Sequence, residues 1–181
     1  MNDHTNDLKL GEQIGVNALV GQALAIWSNM ETNLVLLCAG LLNADRAKTG
    51  LVLYSIASFN TWLAIIGELI SHDSKFNTHN DTWKKLANTL RGLHDTRVRL
   101  AHHGRDFSLD RLVIKPAPLD IRTKTKKAAL LTPKEIGHFS GRAMDMGEQL
   151  YALAVKIDPS LQALLERGIQ LINDQCSSNS Q

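Results

Sequence analysis

The stretch that decides the fold is residues 14–42, which read IGVNALVGQALAIWSNMETNLVLLCAGLL. Apolar side chains recur in it at intervals of three and four residues, the spacing of one helix face. The members of this stripe are Val20, Ala23, Trp27, Met30, Leu34, Cys38 and Leu41. The spacing predicts a long helix with one buried face, and Asn43 directly after it predicts a turn.

Two more helices are predicted on the C-terminal side of this turn. Residues 45–71 carry a second apolar stripe, and the short connection favours an antiparallel pair of helices. This stripe comprises Ile56, Phe59, Leu63, Ile66 and Ile70. A third helix is predicted to begin after Asn80 or Asp81, either of which is a suitable N-cap, and to end at His102 or His103 before Gly104. Its stripe comprises Trp83, Leu86, Leu90, Leu93, Leu100 and Ala101.

The pattern changes after Gly104. Leu112 to Ile114 favour a strand, and Pro116 and Pro118 exclude a continuing helix. These residues predict a β-hairpin or irregular excursion over residues 105–131, with residues 122–131 as its return arm.

The next helix has a clear start signal. Thr132, Pro133 and Glu135 form the N-cap, first-turn proline and acid of a capping box, which predicts a fourth helix reaching Ile157. Asp158 and Pro159 then predict a short fifth helix over residues 160–173.

The predicted fold class is therefore all-α, an antiparallel helical bundle of four to five helices. A short β-hairpin or irregular basic insertion lies between the third and fourth helices. We expect one domain over residues 1–174 and a disordered tail over residues 175–181.

Composition excludes several classes of protein. The chain has 181 residues, 44% of them hydrophobic, which is enough for a core without disulfides. Cys38 and Cys176 lie in contrasting contexts, and no close Cys/His group indicates zinc. The longest apolar run, residues 34–42, is shorter than a membrane span. We therefore expect a cytoplasmic protein with no membrane segment, no metal and no cofactor.

The net charge of +2 is unevenly distributed. Residues 1–90 carry −2, residues 91–134 carry +7 and residues 135–181 carry −3. The middle segment is a basic patch, which either attracts phosphates and acidic partners or serves as a solvated surface.

Two charged residues occupy positions on apolar helix faces. Arg97 lies within the stripe of the third helix, and Glu31 lies within the stripe of the first. A buried charge without a partner is costly, so either Arg97 meets Glu31 or Arg97 faces a cleft or subunit interface.

Residues 96–104, TRVRLAHHG, combine this arginine with a histidine at the end of the third helix. The segment resembles the signature of the HEPN superfamily (higher eukaryotes and prokaryotes nucleotide-binding domains), in which an arginine, four to six residues and a histidine close a helix. Trp27, Glu31 and Leu34 on the first helix are also similar to HEPN-type proteins.

The resemblance implies a metal-independent endoribonuclease with Arg97 and His102 as catalytic residues at a homodimer interface. The chemistry is consistent, because a histidine can move protons for attack by the RNA 2′-hydroxyl and an arginine can stabilise phosphoryl charge. Glu31, His103 and Arg99 are supporting residues, and His103 could replace His102 under the same loose spacing. A toxin or antiviral defence role, with an antitoxin or regulatory protein as partner, belongs to the same expectation.

Charge alone assigns RNA-backbone binding to the basic excursion. The residues are Arg105, Arg111, Lys115, Arg122, Lys124, Lys126 and Lys127. The alternative is a catalytically silent HEPN-like dimer that binds a protein or nucleotide partner. Val98 favours it, because HEPN proteins often have a polar residue directly after the arginine. His94 is interpreted as a core or interface histidine.

Overall fold

The computed structural model describes residues 3–102, 104–106, 113–115, 131–164, 166, 167 and 170, with the backbone alone for 3–10, 12, 104–106 and 113–115. Within these residues lie five α-helices with the bounds α1 Asp3–Leu42, α2 Arg46–Tyr54, α3 Phe59–His72, α4 Asn80–His102 and α5 Pro133–Ile157, and a sixth helix begins at Ser160. A 3₁₀ turn, Asn77–His79, precedes α4, and two short strands, β1 Gly104–Asp106 and β2 Val113–Lys115, follow it. The predicted all-α helical bundle is confirmed.

The chain divides into two compact units, residues 1–31 with 86–147 and residues 32–85 with 148–181. Each unit has buried apolar side chains. In the first they include Val20, Trp27, Met30, Leu86, Leu90, Leu93, Leu100, Ile136, Phe139 and Ala143. In the second they include Leu34, Leu37, Leu53, Leu63, Ile66, Ile70, Trp83, Leu150, Leu153 and Ala154. The prediction of one domain over residues 1–174 stays a prediction.

The first helix begins earlier than predicted and ends at the expected place. Asn43 has a positive φ of 48°, a left-handed conformation that asparagine tolerates better than most residues. Its N–H donates to the Gly40 carbonyl at 3.2 Å. At Gly40, a Cβ would lie 3.2 Å from side-chain atoms of Ile157 and Asp158, so a larger residue would require these neighbours to shift by a few tenths of an ångström. The predicted turn at Asn43 is confirmed.

The prediction of a single helix over residues 45–71 is wrong, because the chain leaves the helix between α2 and α3. The Ser55 hydroxyl donates to the Leu51 carbonyl at 2.7 Å, and the Ser58 side chain accepts from Thr61 N–H at 3.3 Å. The Trp62 indole N–H also donates to the Ile56 carbonyl at 3.0 Å. These side-chain bonds satisfy backbone groups that the break exposes and begin a new helix at Phe59.

Helix α4 has the predicted bounds. Trp83, Leu86, Leu90, Leu93 and Leu100 of its stripe are all buried. Ala101, which was assigned to the same stripe, is exposed. The buried stripe therefore ends at Leu100, within the last turn of the helix.

The capping box at the start of α5 is confirmed. Glu135 accepts from the Thr132 backbone N–H at 2.7 Å and from its hydroxyl at 2.9 Å, and the Glu135 N–H donates to that hydroxyl at 3.3 Å. The bond from the Thr132 backbone, then that from its hydroxyl and then the charge of Arg99 hold the pKa of Glu135 below its ordinary value.

The strands lie between α4 and α5. They are antiparallel, with Gly104 opposite Lys115 and Asp106 opposite Val113. The predicted return arm lies outside the described residues apart from Leu131. The predicted final helix does begin at Ser160, whereas its end and the predicted disordered tail are outside the described residues.

Candidate active site on helix α4

Arg97 is half-buried on α4, among side chains that belong to the core of the first unit. Leu93 and Leu100, one turn before and one turn after it, are each 4% exposed. The Nε atom of Arg97 is buried and has no hydrogen-bond partner among the described residues. A half-buried guanidinium retains hydrogen-bonding capacity, through its terminal nitrogens, for an oxyanion such as a phosphate.

Glu31 has a different partner from the predicted one. Its carboxylate accepts a hydrogen bond of 2.6 Å from the Trp27 indole N–H, one turn back on α1. Among the described residues, no hydrogen bond or ion pair joins Glu31 to Arg97. The physical reason is local, because residues four apart on a helix share a face and the indole donor is already in place. Glu31 therefore supports Trp27 rather than the arginine.

His94 lies close to this indole. Its ring centroid is 6.0 Å from that of Trp27, with the two planes tilted by 47°. Phe139 of α5 stacks on Trp27 at 6.1 Å. Burial, followed by the positive charge of Arg97, lowers the pKa of His94, and the charge of Asp95 opposes this shift. His94 is thus a neighbour of the candidate arginine.

Trp27, Glu31, His94, Arg97 and Phe139 will be called the α1/α4 cluster. Sequence reasoning identified Glu31 and Arg97 as inward-facing and left His94 as a core or interface histidine. The overlooked signal is spacing, because His94 precedes Arg97 by three residues and Trp27 precedes Glu31 by four, so that each pair shares a helix face.

His102 is the last residue of α4 and is exposed. It follows Arg97 by five residues, which corresponds to about 140° around a helix and about 7.5 Å along it. The two side chains therefore leave α4 on different faces. The helix alone does not bring them together within one chain.

Arg99 is half-buried and its charge acts on Glu135, where it helps to lower the pKa of that carboxyl. This interaction ties Arg99 to the start of α5. Val98, between the two arginines, is also half-buried. Arg99 thus has a structural contact within the first unit, in addition to its predicted supporting role.

Most of the predicted RNA-binding residues lie outside the described part of the chain, and so does His103. Arg105 and Lys115 lie in β1 and β2, of which the backbone is described. Their assignment to RNA binding stays a prediction.

The second unit contains another half-buried arginine. The Nη2 atom of Arg46 donates to the Asp158 carboxylate at 2.9 Å and to the Ser160 hydroxyl at 3.0 Å. Both acceptors line a cavity of about 670 Å³ beside the ends of α1 and α5. Other charged groups there are also engaged locally, since Asp45 accepts from Lys48 N–H and Asp73 accepts from Lys75 N–H.

The described residues also bear on metal binding and on membrane insertion. Over the described residues, no group of three or more His, Cys, Asp or Glu side chains could hold a metal ion. Within the same residues, one stretch, Gln13–Leu42 of α1, is long and apolar enough to cross a membrane. A core helix passes the same test, and Trp27 and Leu34 on this stretch are buried in the fold. A cytoplasmic location stays a prediction.

Comparison of the chain with models of protein families, with curated proteins and with solved structures found no match. The resemblance to HEPN proteins therefore depends on the residues of α1 and α4 themselves.

Proposed function

We propose that this protein is an endoribonuclease that cleaves RNA without a metal ion, using Arg97 and His102 at an interface between two copies of the chain. The observation that carries the proposal is the setting of Arg97. Its guanidinium is half-buried on an apolar helix face, with a buried Nε atom that has no hydrogen-bond partner among the described residues. Exposed His102 ends the same helix, as in the HEPN signature.

The proposed reaction needs one proton carrier and one fixed cation. The 2′-hydroxyl of RNA attacks the adjacent phosphorus, and the bond from phosphorus to the 5′-oxygen breaks. His102 accepts the proton of the 2′-hydroxyl, and the leaving 5′-oxygen takes a proton from solvent water. Arg97 stabilises the charge on the phosphoryl oxygens. The products are a 2′,3′-cyclic phosphate and a 5′-hydroxyl.

A dimer accounts for the geometry of α4. Arg97 and His102 of one chain leave the helix on different faces, so a site that uses both is more easily built from two chains. A two-fold interface gives each site the same residues from both copies. In this proposal the basic excursion holds the RNA backbone, and an antitoxin or regulatory protein restrains the enzyme in the cytoplasm as part of toxin or antiviral defence.

Val98 favours a second candidate function. It is apolar and half-buried directly after Arg97. An apolar residue here cannot donate a hydrogen bond to the scissile phosphate or to its neighbours. The second candidate is a catalytically silent HEPN-like dimer that binds a protein or nucleotide partner.

The test is cleavage of a mixed panel of RNAs by the purified full-length protein in the presence of EDTA. We expect products ending in 2′,3′-cyclic phosphate, and we expect His102→Ala to reduce the rate by about 100-fold or more, the scale for a positioned proton carrier. The matched control is His138→Gln, which alters an exposed histidine on α5. Binding without cleavage across the panel would favour the silent module, and full activity of His102→Ala would exclude its proposed role.

A further inference from the structure

His94, and not His102, shares a face of α4 with Arg97. Residues three apart on a helix are separated by about 60° and about 4.5 Å, so their side chains are neighbours. The electrostatics agree with this geometry, because the Arg97 charge acts directly on His94. A phosphate held by Arg97 would therefore lie within the electrostatic reach of the His94 imidazole.

The position of His94 is fixed by packing. One side of it meets the indole of Trp27, which is 1% exposed and itself stacked on Phe139. His94 is nonetheless only half-buried, as is Arg97. The imidazole is thus held in place by an aromatic pair while remaining accessible to solvent and to a ligand.

The charged groups around His94 come from two helices. On α4 they are Asp95 and Arg97, which act on it in opposite directions. On α1 the carboxylate is that of Glu31, held by the indole that packs on His94. The side chain that α5 contributes to the cluster, the ring of Phe139, carries no charge. Arg97 is therefore the group whose charge a bound anion would most directly neutralise.

We propose that His94 is a proton-linked phosphate ligand that acts together with Arg97, so that a phosphodiester bound at Arg97 draws one proton from solvent onto the His94 imidazole. The inference rests on the proposed function in assigning the phosphate to Arg97. An anion beside the guanidinium cancels the repulsion between Arg97 and a protonated His94 and adds an attraction of its own. Linkage is reciprocal, so the affinity for the phosphodiester rises as the imidazole becomes protonated.

The direction of the pH dependence follows from these charges. In the free protein the pKa of His94 lies below its ordinary value, so the imidazole is neutral at pH 7. In the complex the pKa is higher. At a pH between the pKa of His94 in the free protein and its pKa in the complex, binding takes up a proton. Protonation can then raise the affinity by up to about tenfold for each unit by which these two pKa values differ. As the pH rises above both pKa values, the imidazole becomes neutral in both states and the proton uptake at His94 declines.

The probe is a short 2′-O-methyl RNA oligonucleotide without terminal phosphates. It lacks the attacking hydroxyl and is not cleaved, and its phosphodiesters do not titrate near pH 6 as a phosphate monoester does. Calorimetric titration of the full-length protein in two buffers of different ionisation enthalpy measures the protons taken up, at pH 6 and at pH 8.

We expect proton uptake at pH 6 that disappears in His94→Gln, and an affinity gain from pH 8 to pH 6 that is about threefold to tenfold larger in the wild type than in this variant. His138→Gln is the matched control and should behave as the wild type, because His138 is exposed on α5 and outside the cluster. Arg97→Gln should weaken binding and remove the uptake linked to His94.

A second measurement does not depend on the folding of any variant. The His94 ring-proton resonance of the wild-type protein is titrated by NMR with and without the oligonucleotide. An unchanged His94 pKa, or equal proton uptake by wild type and His94→Gln, would overturn the inference.

The outcomes separate the two proposals. If the protein shows proton uptake linked to His94 but cuts no RNA, the proton-linked site stands and the proposed ribonuclease function is excluded. If the protein cuts RNA through Arg97 and His102 without this proton uptake, the ribonuclease function stands and the proton-linked role of His94 is excluded.

Discussion

Arg46 and Arg97 are both half-buried arginines on helices, but their surroundings differ. Arg46 donates to a carboxylate 112 residues away and to a neighbouring hydroxyl. Arg97 lies on an apolar face with a buried Nε atom that has no hydrogen-bond partner among the described residues, and its charge raises the electrostatic cost of protonating His94. A paired arginine stabilises the fold, whereas an arginine in the second setting is suited to an external anion. The comparison separates a structural arginine from a candidate functional one.

The largest expected effect concerns the RNA cleavage that Arg97 is proposed to support. Arg97→Ala should reduce RNA cleavage by about 100-fold or more, because it removes the cation that stabilises the phosphoryl charge. Arg97→Lys should recover only part of the rate, since an ammonium does not reproduce the planar fork. The rate is measured with the same RNA and protein concentrations for each variant.

Arg46→Ala is the matched control for this experiment. It removes a guanidinium of similar exposure from the second unit and should leave the cleavage rate unchanged. Equal losses of activity in Arg46→Ala and Arg97→Ala would show that the different surroundings of the two arginines do not determine the cleavage rate.

The next largest effect is on stability and concerns the hydrogen bond between Glu31 and the Trp27 indole. Glu31→Ala removes the acceptor of the Trp27 indole N–H and should lower the free energy of unfolding by about 1–2 kcal/mol. Glu31→Gln keeps an acceptor oxygen and should restore most of this loss. The measurement is urea unfolding followed by tryptophan fluorescence.

The control for this prediction is Glu68→Ala, which removes an exposed carboxylate from α3. Its unfolding free energy should match that of the wild type within about 0.5 kcal/mol. If Glu31→Ala also unfolds like the wild type, the bond between Glu31 and Trp27 contributes nothing to stability.

Local signals in the sequence predicted the fold class, the end of α1 and the start of α5. The capping box of Thr132 and Glu135 and the turn at Asn43 involve residues close in the chain, so their chemistry is visible in the sequence. The break between α2 and α3 was missed because residues 55–58 contain neither glycine nor proline. It depends on side-chain bonds, including the one from Trp62 to the Ile56 carbonyl.

The sequence predicted which helix faces carry Glu31 and Arg97, but it did not predict which residues their side chains contact. Helical angles place Glu31 and Arg97 on inward faces, but an angle does not reveal which inward group a side chain meets. Glu31 met a donor on its own helix, and the ring contact of His94 depends on how α1 and α4 pack within the first unit. The pair of Arg46 and Asp158 is equally invisible in the sequence, because packing alone brings these distant residues together.

The smallest expected effect concerns this pair and its pH dependence. Hydrogen bonds from the Ser160 hydroxyl and, to a lesser extent, from Arg46 lower the pKa of Asp158. A carboxyl with a lower pKa in the folded state stabilises the fold fully above its unfolded pKa of about 3.9, and this contribution is lost as the pH falls through the folded value. The side chains of Arg46 and Asp158 are 33% and 28% exposed, so solvent screens their attraction.

Arg46→Ala should therefore lower the free energy of unfolding by about 0.5–1 kcal/mol at pH 7, and by less at pH 3 or in high salt. A double-mutant cycle with Asp158→Asn isolates the pair, because Ser160 still bonds to the side chain at position 158 in both backgrounds. A coupling energy that stays constant as the pH is lowered through the folded pKa of Asp158 would show that the stabilisation does not come from the ionised carboxylate. A coupling of zero at pH 7 would remove the structural role assigned to Arg46, and with it the contrast with Arg97.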